Sequence, residues 1–538
     1  MRRVKVIGPP GTGKTTWMIN QIAELIRRGY EPSSILATTF TRPGRRAIRQ
    51  KVMELLRPER LVRRKSDIHW LGRTIHSVCK ELLGIESKYV IDYWKLKEFC
   101  NAYGYRITQD QDYSGEEEGE YKEMMLVTAE DYYLHFIEWA RHRCITDFET
   151  ALYKFTRAYM DELPPEFNVA SLRTFVQRYE EWKKENSYWD FTDFLQAVVK
   201  ERLRPEGIRV ICVDEAQDLS PLLWKVVSIW AYGCEVAIFV GDYLQSLYEF
   251  SGGDPSLLRD CYANETVFLE QSHRVPKKVW ELDKRVMTSF RHWYEKDYLP
   301  TGEEGFVKAI LPEELPRILD TGKKVFVMHR TRKLAGDFGE YLLSCGVLFK
   351  ALRGRKTAIQ RKEFELAVML KKLAEGGSVP IDEFASLVAD TSLIPSALYM
   401  RHGAKTELKR IANDNPDMEV TKDKLSALGF NMEFIKRLEQ GRIFDLIKME
   451  EKEKRVMEKM FAHLGESVAN IEIYNGTIHA FKGEECDIAV INPALTRKTM
   501  LNMLSDPQEE ARCFHVAITR AREGVYILRG MGKAEFPL

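Results

Sequence analysis

The chain has 538 residues, of which 44% are hydrophobic and 30% are charged. At roughly 100–200 residues per domain, this length exceeds what one hydrophobic core supports and predicts about three or four domains. The 81 basic residues almost balance the 80 acidic ones, for a formal net charge of +1. This balance excludes a histone-like polycation, but it does not exclude a local basic patch that binds nucleic acid.

The nine cysteines and the hydropathy of the chain narrow the class of protein further. The cysteine count is odd and no CxxC pair occurs, so the sequence supports neither a disulfide framework nor a zinc or iron–sulfur site. No apolar run approaches the ~20 residues that span a bilayer, and the amino-terminal apolar segment is too short for a signal peptide. We therefore expect a soluble, cytoplasmic protein with reduced thiols and no membrane partner.

Short apolar runs that do not alternate with polar residues predict buried parallel strands. The clearest runs lie at residues 4–7, 35–39, 210–213, 236–240, 325–328 and 488–491. Helical patterns lie between them, which predicts a layered α/β fold. Two strand-rich regions, 1–265 and 266–538, each contain a long polar stretch that we interpret as a mainly helical insertion.

The segment GPPGTGKTT (8–16) follows the first predicted strand and precedes an amphipathic helix, which is the context of a phosphate-binding loop. Its glycines allow backbone N–H groups to point toward phosphate oxygens, and the helix amino terminus adds a favourable partial charge. Lys14 is expected to reach the β and γ phosphates, and the Thr15 hydroxyl to bind Mg²⁺. The predicted nucleotide-binding residues of this loop are Gly8, Pro9, Pro10, Gly11, Thr12, Gly13, Lys14, Thr15 and Thr16.

The segment RVICVDEAQDLS (209–220) is a buried strand that ends in two carboxylates. Asp214 is expected to hold Mg²⁺, directly or through water, and Glu215 to orient and deprotonate the attacking water. The alternative, a pair of helix-capping carboxylates, is disfavoured because a phosphate-binding loop is present. Together the two motifs predict hydrolysis of a nucleoside triphosphate without revealing what the hydrolysis drives.

Eight further segments are informative: TTFTRPGRRA (38–47), TIHSVC (74–79), DFTDFL (190–195), DEAQD (214–218), GDYLQSLYEFSGG (241–253), LEQSHR (269–274), GTIHAFKGEE (476–485) and EEARCFHVAITRA (509–521). In sequence and in order, these segments resemble the motifs of superfamily 1A DNA helicases of the UvrD/Rep/PcrA type. The resemblance implies an α/β fold with two RecA-like P-loop domains, each carrying a mainly helical inserted subdomain. The implied boundaries are 1–80 and 186–265 for domain 1A, 81–185 for subdomain 1B, 266–355 and 470–538 for domain 2A, and 356–469 for subdomain 2B.

The resemblance also implies roles for individual residues around the nucleotide. Gln245 is expected to couple the γ-phosphate to a DNA-facing loop, and Gln217 and Asp218 to belong to the same relay. The catalytic set is completed by residues that act on the phosphates or the attacking water: Lys14, Glu215, Arg274 and Arg520. Both arginines are expected to reach the γ-phosphate from the second α/β domain. His273 is expected to stack on the base, Gly483 to bring the backbone close to phosphate, and Glu485 to bind the ribose.

Contacts to single-stranded DNA are implied for a second set of residues. These residues are Phe40, Thr41, Thr74, His76, Tyr248, Phe250, Thr477 and His479. For Tyr248 a core position is an equally good interpretation. Independently of the family, the segment from Arg42 to Lys65 contains ten basic and two acidic residues, which predicts a patch that follows the DNA phosphates.

The predicted function is an ATP-dependent, Mg²⁺-requiring 3′–5′ DNA helicase and translocase that acts as a monomer on single-stranded DNA and on ss/ds junctions. The compact length suggests a version encoded by a phage or mobile element, for DNA repair or replication. Two alternatives stay open: a motor subunit that needs a nuclease or repair partner to unwind DNA, and a nucleotide-switched DNA-binding scaffold. The P-loop starts at residue 8, without the family's upstream glutamine segment, so the choice of ATP over other nucleotides also stays open, as does DNA over RNA.

Overall fold

The computed structural model describes the chain in two compact units. It covers all residues except 40, 41, 63, 109–125, 161, 250, 251, 320, 321, 346, 353–361, 390, 392, 416, 417, 450, 452, 453, 455, 456 and 459–471. The predicted DNA contacts Phe40, Thr41 and Phe250 lie outside the described residues. The first unit comprises Met1–Gly305 and Arg497–Thr519, and the second comprises Phe306–Thr496 and Arg520–Leu538.

A six-stranded parallel sheet forms the centre of the first unit. Its strands are β1 (Arg2–Ile7), β2 (Ile35–Thr38), β3 (Leu71–Arg73), β4 (Val210–Val213), β5 (Val236–Gly241) and β6 (Glu265–Phe268). Their order is β3-β2-β4-β5-β1-β6, and every neighbouring pair is parallel. All residues of β4 and β5 are buried, because the central strands of such a sheet are covered on both faces. The predicted strands of this region are confirmed.

Helices cover this sheet and build the insertion that follows β3. They are α1 (Lys14–Arg27), α2 (Arg42–Leu56), α3 (Ile75–Leu82), α4 (Tyr93–Tyr103), α5 (Ala129–His142), α6 (Phe148–Ala158), α7 (Val169–Asn186), α8 (Phe191–Glu201), α9 (Pro221–Tyr232), α10 (Pro255–Arg259) and α11 (Lys277–Ser289). The insertion has its own aromatic core, in which the ring of Phe99 lies 5.4 Å from those of both Phe175 and Tyr179. The predicted helical insertion is therefore present.

A largely buried ion cluster fastens α5 and α7 of the insertion to α8. Lys183 is 4% exposed, and its Nζ donates to Asp190 Oδ2 at 2.7 Å and to Asp193 Oδ2 at 2.8 Å. Arg141 Nη1 lies 2.9 Å from Asp190 Oδ2. Although burial opposes it, these two cations hold the pKa of Asp190 below its usual value. The same two aspartates form the capping box that begins α8, so the DFTDFL segment both starts a helix and anchors the insertion.

The second unit contains a five-stranded parallel sheet and a separate pair of short antiparallel strands. Its strands are β7 (Phe306–Ile310), β8 (Val325–His329), β9 (Ser378–Pro380), β10 (Glu419–Thr421), β11 (Ile473–Thr477), β12 (Cys486–Ile491) and β13 (Ala521–Leu528). The parallel sheet has the order β11-β8-β12-β13-β7, whereas β9 and β10 pair antiparallel. The predicted α/β fold with two parallel sheets is thus confirmed.

Helices of the second unit flank the sheet and form an insertion with its own hydrophobic core. They are α12 (Leu315–Leu319), α13 (Arg332–Ser344), α14 (Lys362–Ala374), α15 (Ile381–Ala389), α16 (Ser396–Tyr399), α17 (Ala404–Asp414) and α18 (Met432–Glu439). Two later helices, α19 (Arg497–Ser505) and α20 (Pro507–Ile518), belong to the first unit. Among the described helices, none has the length and apolarity that crossing a membrane requires.

The first unit includes residues 266–305 and Arg497–Thr519, both of which were predicted to belong to domain 2A. Strand β6 crosses the predicted boundary at residue 265 because it pairs with β1 and extends the first sheet. The first unit then continues to Gly305, and the chain returns to it later with α20, which packs against α11. In that contact His515 Nδ1 lies 2.7 Å from Asp283 Oδ1, and neither side chain is exposed.

We predict that Lys183→Ala lowers the free energy of unfolding of the first unit by about 3–5 kcal/mol, because two largely buried carboxylates lose their ammonium partner. Chemical denaturation followed by tryptophan fluorescence measures this loss. The control Arg2→Ala removes an ion pair with Glu265 whose side chains are 42% and 44% exposed. It should cost less than about 1 kcal/mol. An equal loss in the two variants would contradict this account of the cluster.

A second prediction concerns His142, which is 7% exposed and has its Nδ1 2.9 Å from Ser220 Oγ. Burial lowers the pKa of His142 to about 3, with further lowering by nearby His76 and Arg143. The unfolded chain protonates this ring near the usual pKa of ~6.5, so the unfolded state binds more protons as the pH falls and stability decreases.

We therefore expect His142→Gln to reduce the loss of unfolding free energy between pH 7 and pH 4.5 by about 2–3 kcal/mol. Denaturation curves at the two pH values provide the comparison, with the exposed His402→Gln as a matched control. If His142→Gln and His402→Gln showed the same pH dependence, the role of His142 in acid sensitivity would be wrong.

Candidate active site

Hydrogen bonds fix the loop between β1 and α1, both within the GPPGTGKTT segment and to the end of β5. Gly8 N donates to Gly241 O at 3.0 Å, which continues the pairing of β1 with β5. Thr12 Oγ1 donates to Pro9 O at 2.8 Å, and Lys14 Nζ donates to Gly8 O at 2.7 Å. A Cβ atom on Gly8 would lie 2.2 Å from Lys14 Cγ, so only glycine lets the lysine stem cross the loop here.

The amino terminus of α1 has the properties of an anion site. Gly13 is its N-cap with φ of 77°, no side chain caps the helix, and its first turn contains no acidic residue. The N–H groups of a first helical turn lack partners within the helix and carry a partial positive charge. Together with the ammonium of Lys14, this end of α1 fits a phosphate group.

Asp214 stands at the carboxyl end of β4, directly beside this loop. It is 4% exposed, and Thr15 Oγ1 donates to its Oδ2 at 2.9 Å. Its N–H donates to Thr38 O at 2.9 Å, which holds the carboxylate against the neighbouring strand. Burial, followed by the negative charge of Glu215, raises the pKa of Asp214 to about 7. The Thr15 hydroxyl and the neighbouring carboxylates of Asp214 and Glu215 offer oxygen ligands, which Mg²⁺ prefers. These residues therefore fit the predicted ion.

Glu215 adopts a left-handed backbone conformation with φ of 52°. For a residue with a side chain this costs about 1–3 kcal/mol and is found most often at functional sites. Gln217 Nε2 donates to Glu215 Oε2 at 2.5 Å. The carboxylate expected to act as the base is therefore held by a fully buried amide.

Gln217 also links the ends of β4 and β5. Its Oε1 accepts a hydrogen bond from Asp242 N at 2.9 Å. A Cβ atom on Gly241 would lie only 2.3 Å from that oxygen, so the glycine makes room for the bridge. The expected place of Gln217 in a relay thus corresponds to one hydrogen bond to Glu215 and one to the end of the neighbouring strand.

The relay continues to Gln245 through Asp242, a residue that the sequence analysis missed. Gln245 Nε2 donates to Asp242 Oδ2 at 2.5 Å, and Asp242 has no exposed surface. Tyr294 Oη donates to the same carboxylate, at 2.8 Å to Oδ1 and 2.7 Å to Oδ2. One signal could have revealed Asp242: it follows a buried strand at the same sheet edge as Asp214.

The LEQSHR segment lies against the phosphate-binding loop. Ser272 Oγ donates to Pro10 O at 2.7 Å, and His273 N donates to Gly11 O at 2.9 Å. Arg274 therefore belongs to the first unit, not to the second as expected, because its segment follows the edge strand β6. His273 is exposed beside the loop. The assigned contacts of both side chains with nucleotide stay predictions.

The other nucleotide-binding predictions fall in the second unit. Arg520 is 2% exposed, and its Nη1 donates to Glu484 O at 3.1 Å. Gly483 is exposed with φ of 86°, and Glu485 forms an ion pair with Arg522. Arg520 and the 483–485 turn are thus neighbours within this unit.

The described DNA-contact predictions are partly or fully buried. Thr74 accepts from Ser77 N at 3.2 Å and begins α3, and the His76 ring lies edge-on to Phe191 at 5.9 Å. Burial lowers the pKa of His76 to about 4. Thr74 and His76 line a small cavity together with Asp214. Tyr248, Thr477 and His479 have exposed fractions of 7%, 7% and 8%.

We predict that Gly11→Ala lowers the free energy of unfolding by about 2–5 kcal/mol, because strain at its φ of 74° adds to overpacking. The new Cβ would lie 2.5 Å from Arg274 Cβ and 2.7 Å from Ser272 Oγ. The matched control Gly13→Ala has φ of 77° but meets its nearest atom, Thr16 Cβ, at 4.0 Å. Gly13→Ala should lower the free energy of unfolding only by the backbone strain, about 1–2 kcal/mol. Denaturation without nucleotide measures both, and equal losses would contradict the close packing of the two segments.

Comparisons with known proteins agree with this geometry. Residues 2–264 match a family model described as the UvrD/REP helicase N-terminal domain. A probable DNA helicase II homolog of Mycoplasma pneumoniae is 23% identical over 394 residues, which cover 67% of this chain and 51% of that protein. The ATP-dependent DNA helicase UvrD2 of Mycobacterium tuberculosis is 24% identical over 422 residues, which cover 69% of this chain and 56% of that protein.

A further relative aligns over almost the whole chain. The probable DNA helicase II homolog of Mycoplasma capricolum is 20% identical, with 97% of this chain and 82% of that protein covered. Compared with the first two relatives, the chain spans about half of their length. Residues 2–264 are thus similar to the UvrD/REP helicase N-terminal domain, and the chain resembles relatives that are named as DNA helicases.

Proposed function

We propose that the chain hydrolyses ATP and uses the energy to move 3′ to 5′ along single-stranded DNA and to unwind duplexes at ss/ds junctions. The observation that carries the proposal is the contact of Thr15 Oγ1 with Asp214 Oδ2, next to Glu215 and an uncapped helix terminus. The relatives named ATP-dependent DNA helicases support ATP as the nucleotide and DNA as the track.

Hydrolysis requires that negative charge on the phosphates be neutralised and that one water be aligned for attack. Lys14 and the first N–H groups of α1 bind the phosphates, and Thr15 and Asp214 would hold Mg²⁺. When bound, Mg²⁺ offsets the charge that develops on the transferred phosphoryl group. Glu215 accepts the proton of the attacking water, and the hydrogen bond from Gln217 fixes the direction of its carboxylate.

Gln217, Asp242 and Gln245 offer a route by which DNA binding changes the rate of hydrolysis. Gln245 precedes the aromatic segment in which Tyr248 and Phe250 are assigned to DNA bases. A shift of that segment on DNA binding acts on Asp242 and Gln217, and so on Glu215, through hydrogen bonds of 2.5–2.9 Å. We assign the remaining DNA contacts to Phe40, Thr41, Thr74, His76, Thr477 and His479.

A second candidate is a translocase that separates strands only beside a nuclease or repair partner. One observation favours it: the segment 492–508, which precedes the last motif, contains no aromatic residue that could act as a strand-separating pin. Such a motor would show DNA-stimulated hydrolysis but negligible unwinding by the purified chain.

We predict that Glu215→Gln lowers the DNA-stimulated turnover of ATP by about 100-fold or more, because an amide cannot accept the proton of the attacking water. Steady-state phosphate release with Mg²⁺ and an oligothymidine strand measures the turnover. The matched control is Glu206→Gln at an exposed position, which should keep the rate of the unmodified chain. Full turnover by Glu215→Gln would contradict the assigned base.

A further inference from the structure

The described hydrogen-bond donors to the buried carboxylate of Asp242 are all uncharged groups. Leu244 N donates to it at 3.1 Å, Gln245 Nε2 at 2.5 Å, and Tyr294 Oη at 2.8 and 2.7 Å to its two oxygens. A carboxylate without solvent contact depends on such donors, and losing one is costly. Tyr294 is the donor that comes from a distant part of the chain, 52 residues away.

The position of the Tyr294 hydroxyl is fixed by packing on several sides. Its ring centroid lies 5.7 Å from that of Tyr243, 5.9 Å from that of Tyr298 and 6.4 Å from that of His515 in α20. Burial and the adjoining carboxylate raise the pKa of Tyr294 well above its usual range, so the hydroxyl keeps the proton that it donates. The ring therefore presents a permanent donor to Asp242.

Asp242 in turn contacts both glutamines of the proposed relay. Its side chain accepts from Gln245, while its N–H donates to Gln217 Oε1 at 2.9 Å. Gln217 then donates to Glu215 at 2.5 Å. A rotation of the Asp242 carboxylate would move the Gln245 amide directly, and it would alter the strand end to which Gln217 is attached.

We propose that Tyr294 is a positioning residue for hydrolysis: its hydroxyl holds Asp242, and through Asp242 it orients Gln245 and the Gln217–Glu215 pair. The inference rests on the proposed ATP hydrolysis. Tyr294 contacts neither substrate nor reacting atoms in this arrangement. Its removal therefore acts on the rate of the chemical step and leaves nucleotide binding intact, because the phosphate-binding loop is not part of the chain of contacts.

The test compares Tyr294→Phe with Tyr298→Phe in the full chain. Both rings are buried, and Tyr298 Oη donates to Asp283 Oδ2 at 3.4 Å, so the control also removes one buried hydroxyl that bonds a carboxylate. Tyr294→Phe should lower the DNA-stimulated kcat for ATP by about tenfold or more, with KM for ATP unchanged within about twofold. Tyr298→Phe should leave both constants within about twofold of the unmodified chain.

A double variant separates positioning from a general loss of packing. If Tyr294 acts through Asp242, adding Tyr294→Phe to Asp242→Ala should change kcat by less than about twofold relative to Asp242→Ala alone. Independent effects would instead multiply. Thermal unfolding of each variant shows whether the two tyrosine replacements cost comparable stability.

The outcomes distinguish this inference from the function on which it rests. An unmodified chain that hydrolyses no ATP would overturn both. A normal kcat for Tyr294→Phe, an equal loss in Tyr298→Phe, a loss confined to KM, or multiplicative effects in the double variant would each overturn the positioning role alone.

Discussion

The burial of two carboxylates at neighbouring strand ends is the constraint on which the first unit depends. Asp214 follows β4 and Asp242 follows β5, and the two have exposed fractions of 4% and 0%. Burying charge is unfavourable unless hydrogen-bond donors or a cation compensate for the lost water. Thr15 donates a hydrogen bond to Asp214, and Tyr294 and Gln245 donate to Asp242. Gln217 joins the two strand ends. The same donors that make the burial tolerable also bring together the groups assigned to hydrolysis.

The insertion of the first unit uses the same principle for a different purpose. Lys183 and Arg141 compensate the charges of the buried Asp190 and the partly buried Asp193, so the insertion is held to the body of the unit by charge as well as by its aromatic core. The DFTDFL segment is thus explained by helix capping and ion pairing. No contact with nucleotide has to be invoked for it.

Much of this arrangement could be predicted because local sequence patterns indicate its strands and its phosphate-binding loop. The continuous apolar runs of β4 and β5 follow from burial on both faces, and the glycine spacing of the loop follows from its backbone geometry. The edge strand β6 is half exposed and lacks such a run, so the boundary at residue 265 and the unit of Arg274 were misjudged. The hydrogen bond between Asp242 and Tyr294 could not be predicted from a local sequence pattern, since 52 residues separate the two. The return of α20 to the first unit depends on its packing against α11, which again is a long-range contact.

The central claim is that this site drives directional movement on DNA. Strand displacement on 3′-tailed, 5′-tailed and blunt duplexes, with ATP and Mg²⁺, tests it most directly. The account predicts displacement of the 3′-tailed duplex only, abolished when the unmodified chain is replaced by Glu215→Gln. Stimulated hydrolysis without displacement would instead favour the partner-dependent translocase. Displacement confined to the 5′-tailed duplex, or displacement that persists without ATP, would contradict the claim.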